Sequence, residues 1–143
     1  VSMPMATPPA GPHVSWSARC AGAAAATIAW LAVRCLRFDR TVWLVQHLVS
    51  GTGRRLATAR EAEAMLRAID EGAAWLPMRV ACLERSLAAV LLAAGWRRAI
   101  TWCYGVRARP PLTMHAWIST PTGPVGEREE HIAARRIAPR RKT

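Results

Sequence analysis

Lysine is almost missing from this chain. Lys142 is the single example, so nineteen of the twenty basic residues are arginine. Acidic residues are scarce too, nine against those twenty, which sets a formal net charge of +11. The arginine skew, with abundant alanine, is what a GC-rich coding sequence gives without selection on the surface. Five basic residues cluster at the end, as Arg135, Arg136, Arg140, Arg141 and Lys142. Nucleic-acid binding would use such a cluster, but a solvated basic tail is the simpler reading, and a basic surface also attracts acidic proteins or peptides. Long uncharged apolar runs are missing as well. The longest, Ala21–Val33, covers 13 residues between Arg19 and Arg34, short of the roughly 20 that a spanning helix needs. No basic stretch leads an apolar segment at the amino end as in a secretory signal, since the first basic residue is Arg19 behind a Pro-rich stretch. The sequence therefore predicts no membrane span and a cytoplasmic location.

The four cysteines, Cys20, Cys35, Cys82 and Cys103, form no CxxC pair, which argues against a structural zinc site or a thioredoxin-like motif. Cys20 and Cys35 sit on one predicted helix, roughly 22 Å apart at about 1.5 Å per residue, too far for a disulfide. Four free thiols in a reducing compartment follow. At 143 residues and 52% hydrophobic content, the chain suits one domain with its own core and excludes global disorder.

Pro4, Pro8, Pro9, Gly11 and Pro12 mark residues 1–17 as a flexible arm. A helix is predicted from Ala18 to Arg37, apolar nearly all round until Arg34 and so largely buried. Asp39 is placed to cap a second helix, Arg40–Val49, which Gly51 and Gly53 end. A third, about Ala59–Gly72, starts behind Thr58 with Glu61 at the capping-box spacing. Pro77 forces the next helix to begin after it. That helix runs about Ala81–Ala94 and closes at Gly95. Alternation of Ile100, Trp102 and Tyr104 then predicts a strand over Arg98–Val106. Further strands follow over Met114–Thr120 and, after the turn Pro121–Pro124, over Val125–Glu127. Residues 128–137 carry a weak helical pattern. Helices first and neighbouring strands later argue an α+β fold with an antiparallel sheet. The division reads as an arm over 1–17, a helical part over 18–72, a core over 73–134 and a basic tail over 135–143.

Two patterns carry chemistry. Cys82 opens the fourth helix, where unpaired N–H groups and the helix dipole favour a thiolate. His115-Ala116-Trp117 lies on a strand, from which an imidazole facing the helix start can take the thiol proton. Glu127, on the adjoining strand of the same hairpin, is placed to orient that imidazole, as in other Cys/His/acid sites. Each residue alone also fits a bland role: a buried thiol, a core histidine, a surface acid beside Glu129 and Glu130. The set in this order is the signal. Trp117 and Tyr104 are candidate substrate-lining aromatics, or plain sheet core.

The run Trp75-Leu76-Pro77, Arg79, Cys82-Leu83-Glu84-Arg85-Ser86-Leu87-Ala88, Gly95, Gly105-Val106-Arg107, His115-Ala116-Trp117 and Pro124-Val125-Gly126-Glu127 resembles the lasso-peptide leader peptidases, the transglutaminase-like cysteine proteases of lasso-peptide biosynthesis. The likeness covers about Leu31 to Glu127. It implies amino-terminal helices followed by a transglutaminase/papain-like core, with the nucleophile at a helix start packed on a small antiparallel sheet. It further implies removal of the leader from a ribosomally made precursor, so that an ATP-dependent lasso cyclase can act on the new amino terminus. The catalytic set carries over to Cys82, His115 and Glu127. Relatives often have an acid in the turn after the HAW motif. Here that turn holds Ser119, Thr120, Pro121 and Thr122, so Glu127 takes the assignment, and the site is a dyad if Glu127 faces solvent. No metal or nucleotide is implied. Some members are fused to a precursor-recognition module. The stretch before the first helices is too short for one, so the resemblance implies the split type, which receives the leader from a separate recognition protein, with residues 18–72 a candidate docking surface.

Overall fold

The computed structural model describes residues 13–51, 54–107, 110–126 and 131–139. Four helices and a small antiparallel sheet make up this part of the chain. Helix α1 spans Trp16–Cys35, α2 Phe38–Val49, α3 Ala59–Ala73 and α4 Cys82–Gly95. Strands β1 (Arg55–Leu56) and β2 (Arg98–Ala99) form a short parallel pair. Strands β3 (Thr101–Arg107), β4 (Met114–Thr120), β5 (Gly123–Pro124) and β6 (His131–Ile137) form the antiparallel sheet in the order β5-β4-β3-β6.

Helix α4 is the centre. Ser86 to Val90, then Leu92 and Ala93, are all buried, because α1, α2 and α3 surround it on one side and the sheet on the other. Helix α1 lies against α3 and α4 through its small residues, Gly22, Ala25, Ala26 and Ala29. The approach to α3 is close enough that a Cβ on Gly22 would lie 2.1 Å from the Ala68 carbonyl oxygen, and one on Gly72 would lie 2.4 Å from the Arg19 carbonyl oxygen. This proximity divides α1. The small residues turn inward, while Ile28 and Leu31 remain 54% and 48% exposed. An apolar helix thus buries one side only, against the expectation of broad burial, since close axes leave no room for branched side chains between them.

Helix starts follow their caps. Ser15 accepts from the Ala18 N–H, so α1 begins at Trp16, inside the expected arm. Thr58 Oγ1 accepts from the Glu61 N–H at 3.2 Å, as the capping-box spacing predicts. Asp39 is not a cap. It lies in the first turn of α2, whose cap position is Arg37. Gly95 is the last residue of α4, and the left-handed residue beyond it is Arg97, with φ 57°.

Strand β4 has the predicted limits. The strand expected over Arg98–Val106 is broken at Ile100, with Arg98–Ala99 turned to β1 and the rest to β4. β5 sits at Gly123–Pro124 rather than after it, closing a two-residue turn with Thr120 opposite Gly123. The Val125 N–H still reaches the Ile118 carbonyl at 3.0 Å. The weak helical pattern near the end is overturned: His131–Ile137 is strand, paired antiparallel to β3. Arg135 and Arg136 are therefore sheet residues, not tail. Among the described residues, no helix is long and apolar enough to cross a membrane.

Candidate active site

After Pro77 the chain reaches Ala81 in extended conformation, φ −87° and ψ −178°, and α4 starts at Cys82. The first intrahelical bond runs from the Arg85 N–H to the Ala81 carbonyl at 2.9 Å. The N–H groups of Cys82, Leu83 and Glu84 precede that bond, and alanine has no side chain to cap them. The half-buried Cys82 side chain thus stands beside a set of aligned backbone donors.

Strand β4 brings the imidazole. His115, 7% exposed, pairs in register with Gly105 of β3. Trp117, two residues on and on the same face, stacks on His115 with centroids 5.9 Å apart and planes at 17°. The intervening Ala116, with Ile118 and Trp102, joins the core on the other face. Cys82 and Ser86 of α4 and His115, Ala116 and Trp117 of β4 line one cleft of ≈ 190 Å³, together with Leu66 and Val125.

Two polar links hold this arrangement. The Arg85 guanidinium forks onto Asp70 of α3, Nε to Oδ1 at 2.7 Å and Nη2 to Oδ2 at 2.8 Å. It reaches the cleft from the same helix face as Cys82, three residues away. The buried Trp102 indole N–H donates to Ser86 Oγ at 3.0 Å, and Ser86 Oγ donates to the Leu83 carbonyl at 3.0 Å. β3 is thereby tied to the first turn of α4. Sequence reasoning missed both links. Their only signal was the spacing of Arg85 and Ser86, three and four residues after Cys82.

The predicted residues divide as follows. Cys82, His115 and Trp117 share the cleft. Tyr104 does not line it. Tyr104 is on the opposite face of the sheet from His115, 5.2 Å from the Trp102 ring and 5.3 Å from Phe38 of α2. Glu127 lies outside the described residues. All four cysteines are free. Cys103, fully buried in β3, has its thiol pushed up to about 11 by burial, against the opposing charge of Arg136. Among the described residues, no three of His, Cys, Asp and Glu gather as a metal site requires. A half-exposed thiol at a helix start, sharing a cleft with an imidazole, is the equipment of nucleophilic acyl chemistry.

A family model for the core of the transglutaminase-like superfamily matches residues 29–138. The chain belongs to the transglutaminase-like superfamily. That superfamily is usually of the cysteine-hydrolase or acyltransferase type, and the match takes in both α4 and β4. Comparison with curated proteins and with solved structures gives no significant match.

Proposed function

We propose that the protein is a cysteine peptidase that cleaves the leader from a ribosomally made lasso-peptide precursor in the cytoplasm. The observation that carries the reading is the shared cleft of Cys82 and His115 in a transglutaminase-like chain. The peptide backbone enters that cleft beside Trp117. The Cys82 thiolate attacks the scissile carbonyl, and the N–H groups at the start of α4 receive the developing oxyanion. His115 takes the thiol proton and returns it to the leaving amine. Water, activated by the same imidazole, then hydrolyses the thioester and frees the thiol. Glu127 orients the imidazole. A separate recognition protein presents the leader, and the ATP-dependent cyclase consumes the freed product.

The test has two steps. Limiting iodoacetamide across pH 5–9, read by peptide mass spectrometry, labels Cys82 ahead of Cys20 and Cys35. Incubation with a precursor and the recognition protein then releases the leader, and the Cys82→Ala variant releases none. Transfer of the acyl group to an added amine, without hydrolysis, would assign the site to an acyltransferase instead.

A further inference from the structure

Some arginines of the helical half meet acids, Arg19 with Glu71, Arg85 with Asp70, and Arg55 and Arg98 with Glu61, while Arg40, Arg60, Arg79 and Arg97 are exposed with no ion pair among the described residues. At the sheet, Arg107, Arg135 and Arg136 are exposed and form no ion pair among the described residues. Arg135 pairs in register with Tyr104 and Arg136 with Cys103. As neighbours in a strand, the two arginines project to opposite faces. Both belong to β6, which is seven residues long and is the edge of the sheet. No described strand covers its outer side.

We infer that β6 is a docking edge for an acidic, extended segment of a partner protein, which adds as a strand beside it. An exposed edge presents a row of main-chain N–H and C=O groups to such a segment. Two adjacent acidic residues of the added strand fall opposite Arg135 and Arg136, one on each face, so the charges set the register. A phosphodiester backbone lying along one face meets only one of the two arginines. An extended peptide meets both. The surface is two strands away from His115, across β3, and its use does not depend on what the Cys82 cleft cleaves.

The probe is a fluorescent, end-blocked peptide of β-branched residues flanking two adjacent glutamates, followed by anisotropy with the full chain. The peptide binds, and its affinity falls with added salt. Proline in place of a central residue, which removes a main-chain donor, weakens it by about tenfold or more. Arg135→Glu with Arg136→Glu weakens it by a similar factor, and Arg135→Gln with Arg136→Gln, a milder change at the same exposed positions, weakens it by less. Circular dichroism checks that both variants fold. Unchanged affinity in the glutamine variant overturns the inference. So does absence of peptide binding, equal binding of the proline peptide, or tighter binding of a single-stranded oligonucleotide of equal charge.

Discussion

Cys82 and Cys103 are the same residue type held in opposite surroundings. Cys103 sits in the middle of β3, fully buried, and its thiol is pushed up to about 11. Cys82 is half-buried at the first turn of α4, beside backbone N–H groups that precede the first intrahelical bond and a histidine-lined cleft. Burial penalises the thiolate at Cys103, whereas Cys82 is open to an incoming carbonyl. The address of a thiol in the fold, rather than its presence, decides what chemistry is open to it. The two regions are also joined. Trp102, next to Cys103 in sequence, donates to Ser86, one turn beyond Cys82.

The sharpest way to test the contrast is to remove each thiol in turn. On the proposed reading, Cys82→Ala takes peptide cleavage below detection, a loss of about a thousandfold or more, because the nucleophile itself is gone. Cys103→Ala leaves cleavage within a few-fold and changes only packing. In labelling experiments the native Cys103 stays unmodified up to pH 9 and reacts only after unfolding. Labelling of native Cys103 together with Cys82 would break the comparison.

A smaller effect comes from the support beneath α4. Gly22→Ala puts a methyl group against the Ala68 carbonyl and forces α1 and α3 apart. A loss of roughly 1–3 kcal/mol is expected, read as a lower denaturant midpoint. The loss should fall on stability more than on the labelling order of the thiols.

Ser86→Ala tests the tie between the two regions directly. It leaves the buried Trp102 indole N–H without its acceptor, a cost of about 1–3 kcal/mol. Ser86→Thr keeps a hydroxyl and should recover part of that loss. Urea titration followed by tryptophan emission measures both. A Ser86→Ala protein as stable as the parent would show that the link contributes nothing.

The smallest change concerns acid. Hydrogen bonding from Arg98 holds the Glu61 carboxyl below its ordinary 4.5, with help from the charge of Arg55 and against the effect of burial. A lowered native pKa stabilises the fold above 4.5, and this contribution is lost as the pH falls through the lowered value. Glu61→Gln should therefore reduce Tm slightly near neutrality and match the parent at low pH. Thermal melts on either side of 4.5 show this directly. Neither member of the pair lines the Cys82 cleft, so thiol labelling stays unchanged.

Local signals made much of the fold legible. Thr58 with Glu61 marked the start of α3, Pro77 placed α4 after it, and the turn residues Pro121–Pro124 marked the end of β4. Cys82 and His115 were legible as candidates because a helix start and a strand each carry a local signature, and the fold sets both along one cleft. β6 was not, since Ala133, Ala134, Arg135 and Arg136 favour helix, and only pairing with β3 makes them strand. β1 and β2 have two residues each, too few for any period. Tyr104 alternates with Trp102 in the sequence as any core or cleft residue would. Only the register, which sets Tyr104 opposite Ala116 and Gly105 opposite His115, puts it on the other face from the imidazole.

The sequence by itself determined where α3 and α4 begin and where β4 runs, because caps, prolines and turn residues act over a turn or a few residues. It also determined that a thiol would open α4. The tertiary structure alone decided which side of α1 is buried, which cysteine is shut away, and that Arg85 meets Asp70 while Trp102 meets Ser86. Those outcomes rest on contacts between residues distant in the chain, and such contacts form only when close helix axes and the twist of the sheet bring them together.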